Sequence, residues 1–507
     1  MRTKLLLLLQ VLIFNFQFSI VAQREADCLA MGYCDYSLPN CHPSYGSAIY
    51  KFNEEGIEYI EEDARLSLST DYSRAAFSDR HTGELIFASN GWRLVNRSGQ
   101  VLAHKLYNDD IPHPGGTPDT TNVNNTLGPL FLNDPGDSTK AYLFYGQRRL
   151  EDFPGIGFAG LDVLFTYAYL DIPTQSLISK GNTVLNELTL RADAAACRHA
   201  NGRDWWLIKP GIYEDENYFG LLDPKGVNME KQTYPGLQHR VQIGHTFTYF
   251  NQQGDKMLRF VSLNGELHVF DFDRCSGELS NLVVHDLSDS LGRGTDWNAC
   301  NISPDGTKFY VRRSPSKGGG TLQYDLETLE YTYITRISTA PQLTPNYKHI
   351  LLGNSLFTST GKEYQTLCTI YKPNEPGLAC NYVANTDTVI NFPNFIAPSC
   401  FANFRLGALK GSGCDTIVSG MGEVKVGRVK VYPNPARDVL TVELEQAANY
   451  QINIYNALGQ RVYFARTAGK SKIIDLSNLP LHSGLLLVEV MNEETRAVLK
   501  TKVIYEK

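Results

Sequence analysis

The richest collection of reactive side chains in this 507-residue chain is the run Arg198-His199-Ala200-Asn201-Gly202-Arg203-Asp204-Trp205-Trp206. A His and an Asp held near one another can pass a proton as an acid–base pair, so His199, Asp204 and Trp205 are the candidate ligand contacts. A structural account competes with this and is the stronger one. Asn201-Gly202 is a turn dipeptide, Trp206 and Ile208 share one side of the strand that follows, and His199 or Asp204 then bonds neighbouring backbone. Asp271 and Asp273 alternate about Phe272 on another strand, and two carboxylates on one strand face suit calcium, a hard cation. The same residues can instead cap the turn into Ser276-Gly277. Asp325, in Tyr324-Asp325-Leu326, holds the equivalent place in a neighbouring copy of the pattern, where an ion site need not recur.

Asp109-Asp110, Asp134 with Asp137, and Asp296 are further carboxylates beside turns. A glycoside hydrolase needs two carboxylates at a defined separation across a cleft. The chain has no phosphate loop, no H-E-x-x-H and no G-x-S-x-G elbow, which removes nucleotide, zinc-protease and serine-hydrolase readings. It has no paired C-x-x-C and no histidines at ligand spacing, so a zinc site is not expected. No cofactor is expected beyond a calcium ion at Asp271 and Asp273.

The elements that must position these residues are short strands. Residues 299 to 335 read as two successive hairpins: Ser303-Pro304-Asp305-Gly306 is one turn, Lys317 to Gly320 breaks the chain, and a second pair surrounds Asp325-Leu326-Glu327. That is one four-stranded unit, which cannot bury both faces alone and should therefore recur. Turn patterns followed by β-prone runs return at Ala76 to Phe87, Leu132 to Tyr145, Arg198 to Ile208, Tyr249 to Phe260 and Leu343 to Leu352, spaced about 40 to 65 residues apart. The expected architecture is all-β, a β-propeller of six or seven blades over residues 48–414. The hairpin within Ala48 to Ile60 is expected to supply outer strands to a blade completed from the C-terminal side. Long loops at Pro112 to Asn125 and Pro154 to Gly160 are where binding is expected on such a ring.

Composition fits this. The 28 Tyr and 24 Phe suit half-buried β surface more than helix. Met1 to Ala22 carries Arg2 and Lys4, then an apolar run, as a secretory signal peptide does, and the mature chain has no transmembrane segment. Ten cysteines in an exported chain suggest disulfides. Residues 23–47 are Cys-rich, with Cys28, Cys34 and Cys41; Cys368 with Cys380 and Cys400 with Cys414 are locally spaced pairs; Cys197, Cys275 and Cys300 are harder to place. The net charge of −7 is unevenly shared. Residues 420–507 hold 12 Lys and Arg against 9 Asp and Glu, whereas residues 23–419 hold 33 against 45. An acidic body is unsuited to nucleic acid.

Residues 415–428 are rich in Gly and Ser, as a linker is. From residue 429 the pattern changes. VKVYPNPARDVLTVEL, QINIYNALGQRVYFA, KIIDLSNLPLHSGLLLVEVM and RAVLKTKVIYEK alternate apolar and polar residues between turns, about seven strands of a small β-sandwich. This segment, 429–507, resembles the type A C-terminal sorting domain of the type IX secretion system of Bacteroidetes. The matching residues include Tyr432-Pro433-Asn434-Pro435, Ile454 to Gln460 with Gly459, Ile474 to Leu479, and Ser483-Gly484-Leu485. The resemblance implies passage through the periplasm, contact with the type IX machinery through this domain, and delivery to the medium or outer cell surface. Segments such as Phe270 to Leu279 and Asn391 to Phe395 look like the propeller passengers of such domains, whose activities are largely uncharacterised.

The function expected is therefore a secreted or surface-displayed propeller that binds glycan or a surface protein. The alternative is an extracellular polysaccharide hydrolase or lyase with its site at the propeller axis, and a structural part of the cell envelope is a third reading. Paired carboxylates or a His cluster along the axis would favour the enzyme, and small or apolar residues there would count against it.

Overall fold

The computed structural model describes residues 28–506 except 32–46, 53–56, 64–74, 107–127, 154–156, 191–193, 235, 242–245, 293–298, 358–362, 390–400, 415–429, 457–460, 480 and 493–497. The leader, most of the Cys-rich segment, the Pro112 to Asn125 loop, Asn391 to Phe395 and Gly459 lie outside the described residues. The chain divides into two compact units, Met1–Ile417 and Val418–Lys507.

The first unit is a β-propeller. Among the described residues it holds seven antiparallel sheets whose strands are ordered as they occur in the chain. Blade 1 has three strands, Cys28–Met31, Ser47–Phe52 and Ile57–Asp63. Blade 2 runs Ala75–Ser78, Leu85–Ser89, Leu94–Asn96 and Val101–Ala103. Blade 3 runs Leu130–Asn133, Lys140–Phe153, Gly157–Asp171 and Ser176–Leu185. Blade 4 runs Ala195–Arg198, Trp205–Pro210, Glu216–Asp223 and Gly226–Thr233. Blade 5 runs Thr246–Phe250, Lys256–Val261, Glu266–Phe272 and Leu279–Asp286. Blade 6 runs Cys300–Ile302, Lys308–Arg312, Thr321–Asp325 and Tyr331–Thr335. Blade 7 runs Gln342–Leu343, Ile350–Phe357, Glu363–Ile370 and Tyr382–Val389. The longest α-helix among the described residues is one turn, Ser288–Leu291.

Burial falls from the first strand of a blade to the fourth. Every residue of Ala195–Arg198 and Cys300–Ile302 is buried, whereas Leu279–Asp286 has no buried residue and Tyr331–Thr335 only one. First strands of neighbouring blades approach one another in the pairs 1–2, 2–3, 4–5, 5–6 and 6–7. The apolar faces that a single sheet leaves uncovered are thus covered by the next sheet.

Each repeated turn sits between strands one and two of blades 2 to 7, and one device closes all six. A side-chain oxygen accepts a backbone N–H two to five residues on: Asp79 from Thr82 (2.8 Å), Asp134 from Gly136 (2.7 Å), Asn201 from Arg203 (2.9 Å), Asn251 from Lys256 (3.1 Å), Asp305 from Thr307 (3.0 Å) and Asn346 from Lys348 (3.2 Å). Asp and Asn do this because their short side chains reach their own downstream backbone.

Two expectations change, and the cysteine pairing that spacing left open is settled for one pair. The N-terminal hairpin, Ser47–Phe52 with Ile57–Asp63, takes Cys28–Met31 as its third strand, so blade 1 is extended from the N-terminal side. Residues 157–160, expected in a long loop, belong to a strand, where Gly157 pairs with Phe153 and Gly160 with Leu150. Strand two of blade 3 is therefore 14 residues long against 6 in blade 5, and its hairpin reaches roughly 25 Å further at ~3.3 Å per residue. Cys414 pairs with Cys275 rather than with its neighbour Cys400, while Cys197, Cys368 and Cys380 are buried free thiols.

Among the described residues the second unit has five strands rather than about seven: Lys430–Tyr432, Val439–Tyr455, Arg461–Asp475, Gly484–Asn492 and Val498–Tyr505. Val439–Tyr455 does the work of two, because its register breaks between Glu443 and Ala448. Its first half pairs with Lys430–Tyr432 and its second with Gly484–Asn492. Leu440, Val442, Ile452, Ile454, Val488 and Val503 from these strands meet in one core.

Candidate functional site

Antiparallel blades have two faces. Turns between strands one and two and between three and four form the lower face; connections between two and three, and from four to the next blade, form the upper one. The axis between them carries a cavity of about 30 Å³, room for only a few water molecules. Leu130, Ala196, Phe250 and Leu343 from four blades line it, with Thr248, Asn251 and Asn301 as polar neighbours, and none of its lining residues is Asp, Glu or His. Cys197 also lines it, and burial pushes that thiol up to about 12, which leaves it protonated and a poor nucleophile.

The lower end of the axis is filled by residues 401–414. Phe404 is 3% exposed and packs edge-on against Trp205 (5.0 Å between centroids) and Phe77 (5.9 Å), side chains of blades 4 and 2. Phe401 meets Tyr347 of blade 7 at 5.8 Å. Asn403 Nδ2 donates to the Gln252 carbonyl (2.9 Å), Leu409 N to the Ala200 carbonyl (2.8 Å), and Arg274 Nη2 to the Gly407 carbonyl (2.5 Å). The Cys275–Cys414 disulfide holds the far end. Gly202 must be glycine for two reasons. Its φ is +73°, and a Cβ there would lie 2.5 Å from the Ala408 backbone nitrogen.

The candidate ligand contacts lie just above this plug and are absorbed by it. His199 is buried; its Nδ1 accepts the Asn201 N–H (3.1 Å) and its Nε2 lies 3.0 Å from the Cys275 carbonyl oxygen, which makes Nε2 the protonated nitrogen. Asp204 accepts from Arg203 Nε (2.7 Å) and Asn201 Nδ2 (2.7 Å). Trp205 is fully buried beneath the Arg198 guanidinium, 3.6 Å from its ring, and its Nε1 donates to Asn133 Oδ1 (3.1 Å). Trp206, by contrast, donates to the Arg274 carbonyl (2.8 Å). These contacts join blades 3, 4 and 5.

Asp271 and Asp273 are engaged separately. Asp271 pairs with Lys256 (2.8 Å) and accepts from Asn281 Nδ2 (2.8 Å), and the Lys256 ammonium, then Asn281, holds its carboxyl below the usual range. Asp273 accepts the Cys275 N–H (2.7 Å) and so caps the turn. Lys308 with Asp325 (3.0 Å) and Lys140 with Asp171 (2.7 Å) occupy the same cross-strand register as Lys256 with Asp271.

A cluster that sequence reasoning missed lies on the upper side, where blade 4 meets blade 5. Glu214, on the connection between strands two and three of blade 4, faces Glu266 and His268 on strand three of blade 5, and the ligand atoms of the three lie within 4.8 Å of one another. Arg240, on the link between the blades, reaches both carboxylates, with Nη2 2.5 Å from Glu266 Oε2. The His268 ring and the Arg240 guanidinium outweigh the burial of Glu266 and hold its carboxyl down to about 2. Beside them Tyr213 and His239 stack at 4.0 Å. The signal in the sequence was faint: Glu266-x-His268 is a period-two pair on a strand, but Glu214 stands more than fifty residues earlier.

In the second unit, Pro433 and Pro435 have no N–H to offer a neighbouring strand, and the side chain of Asn434 between them makes the link. Its Oδ1 accepts the Ile504 N–H (2.9 Å), its Nδ2 lies 3.4 Å from the Lys502 carbonyl, and Ala436 N donates to the Ile504 carbonyl (2.7 Å). The Tyr432 hydroxyl donates to Glu443 (3.1 Å). Gly484 opens the fourth strand opposite Tyr505.

Residues 430–506 match the family described as the secretion system C-terminal sorting domain. They are a type IX secretion sorting domain. The sorting domain sends the chain through the type IX system, characteristic of Bacteroidetes, to the cell surface or extracellular space. No helix among the described residues is long and apolar enough to cross a membrane. No curated protein matches the chain. Solved structures similar to it include a protein assigned as a 6-phosphogluconolactonase from Bacteroides uniformis (13% identity, 73% of this chain and 98% of that one, TM-score 0.40). Others are the periplasmic gluconolactonase of Pseudomonas aeruginosa (13%, 72% and 96%, 0.39) and the Dos1 propeller (14%, 61% and 72%, 0.30).

Proposed function

We propose that the exported propeller is a binding protein for an extracellular glycan or surface protein, which it engages through its upper face. The observation that carries this reading is the filled axis. An axial hydrolase or lyase would need carboxylates or histidines facing an open channel, whereas here Phe404 and its neighbours close the lower end and the axial cavity described above is lined by apolar, Tyr, Cys, Thr and Asn side chains. The plug occupies the lower face, and the long hairpin of blade 3 and the Tyr213–His239 stack stand at the upper one. Rigid blades presenting connections on one side are a common basis for recognition.

The test is to offer the secreted, full-length protein to a broad panel of surface glycans and outer-surface proteins while measuring polysaccharide turnover on the same glycans. Saturable binding without turnover is the expected result. Turnover of a polysaccharide, with binding to no other member of the panel, would replace this reading with the enzymatic one.

A further inference from the structure

Glu266 and His268 are the first and third residues of a strand, so alternation puts both side chains on one face of the sheet. Glu214 approaches that face from the neighbouring blade. His268 is fully buried, and neither ring nitrogen has a hydrogen-bond partner among the described residues. Its Nε2 nevertheless lies 3.4 Å from Glu214 Oε1 and 3.7 Å from Glu266 Oε2. Both separations are longer than an N–H···O hydrogen bond, which centres near ~2.9 Å. They suit co-ligands of one ion, since donors ~2.1 Å from a tetrahedral metal stand about 3.4 Å apart. A buried imidazole without a hydrogen bond costs free energy, and a bond to a metal is what this spacing can supply.

The charges also leave room for a cation. Arg240 neutralises the two carboxylates from the outside, and its side chain is 41% exposed, so it can turn into solvent. Arg259, buried beneath, donates Nη1 to the Glu214 carbonyl (2.8 Å) and holds that connection in place.

We propose that Glu214, Glu266 and His268 bind a divalent transition-metal ion of the zinc class, which enters in exchange for the Arg240 guanidinium and keeps one position open to water or a ligand. One imidazole and two carboxylates form a mixed donor set that suits zinc or manganese. The inference does not depend on what the upper face binds.

The experiment is titration of metal-stripped, full-length protein with Zn²⁺ by calorimetry, and with Co²⁺ by visible absorption. The expected result is one ion per chain, with affinity reduced at least about tenfold in Glu214→Gln and His268→Ala and increased in Arg240→Gln. Glu266→Gln, at a partly exposed position, gives a variant less prone to misfold, and it should also weaken binding. Absence of a saturable single site in the native protein would overturn the proposal. So would Zn²⁺ affinity unchanged in Glu266→Gln and in a folded Glu214→Gln, or weakened in Arg240→Gln.

Discussion

Replacing Phe404 by alanine should unfold the propeller several degrees earlier without touching any strand. The side chain is 3% exposed and lies between Trp205 and Phe77. Truncation of a buried Phe to Ala costs about 3–5 kcal/mol, the transfer free energy of the ring plus the cavity it leaves, and the two edge-on aromatic contacts place this case toward the upper half. An unfolding entropy of ~2.1 cal/mol/K per residue over residues 28–414 comes to about 0.8 kcal/mol/K, so the expected fall in Tm is about 4–6 °C. Differential scanning calorimetry of the oxidised, full-length protein measures it on the propeller transition. Leu378→Ala, at a side chain 75% exposed, is the control and should stay within about 0.5 kcal/mol. A shift below about 1 °C for Phe404→Ala would mean that residues 401–414 merely rest on the lower face, and the case for a filled axis would fall with it.

Cys414→Ser opens a cross-link between residues 139 apart in sequence, worth about 5 kcal/mol in the chain-entropy account; limited proteolysis should then cut within 401–414, and an unchanged pattern would show the plug needs no latch. Lys209 and Asp162 form a buried pair (2.7 Å) between blades 4 and 3, so Lys209→Met, which strands the carboxylate, should cost about 3–5 kcal/mol, and the double change with Asp162→Leu much less; equal losses in urea titrations would refute the coupling. His285 and His349 are both held below the usual imidazole range by burial. Their unfolded forms bind protons first, so stability should fall as pH drops below about 6.5. The depressed carboxyl of Glu266 adds a second loss between its unfolded value and about 2. His349→Gln should flatten the first of these, and an unaltered pH profile would contradict the assignment. Deletion of residues 430–506 should strand the propeller inside the outer membrane, and its appearance in the medium or on the surface would refute the sorting role.

The repeats were readable because each turn is closed by atoms a few residues apart. Asp79, Asp134, Asn201, Asn251, Asp305 and Asn346 all bond their own downstream backbone, and such chemistry is written in consecutive letters. The N-terminal blade was misjudged because Cys28–Met31 is four residues long, too short for alternation to stand out. The sorting domain was over-divided because a register break inside a 17-residue strand looks, in sequence, like a turn.

The order of residues alone thus determined the kind of element at each position, the presence of a repeated sheet and the address carried by residues 430–506, since all three depend on neighbours along the chain. Tertiary structure decided what those elements enclose. Phe404 reaches Phe77 across more than three hundred residues, Cys414 finds Cys275 rather than Cys400, and Glu214 meets Glu266 and His268 only because two blades lie side by side. Such meetings follow from how whole sheets stack about an axis, and no local spacing encodes them.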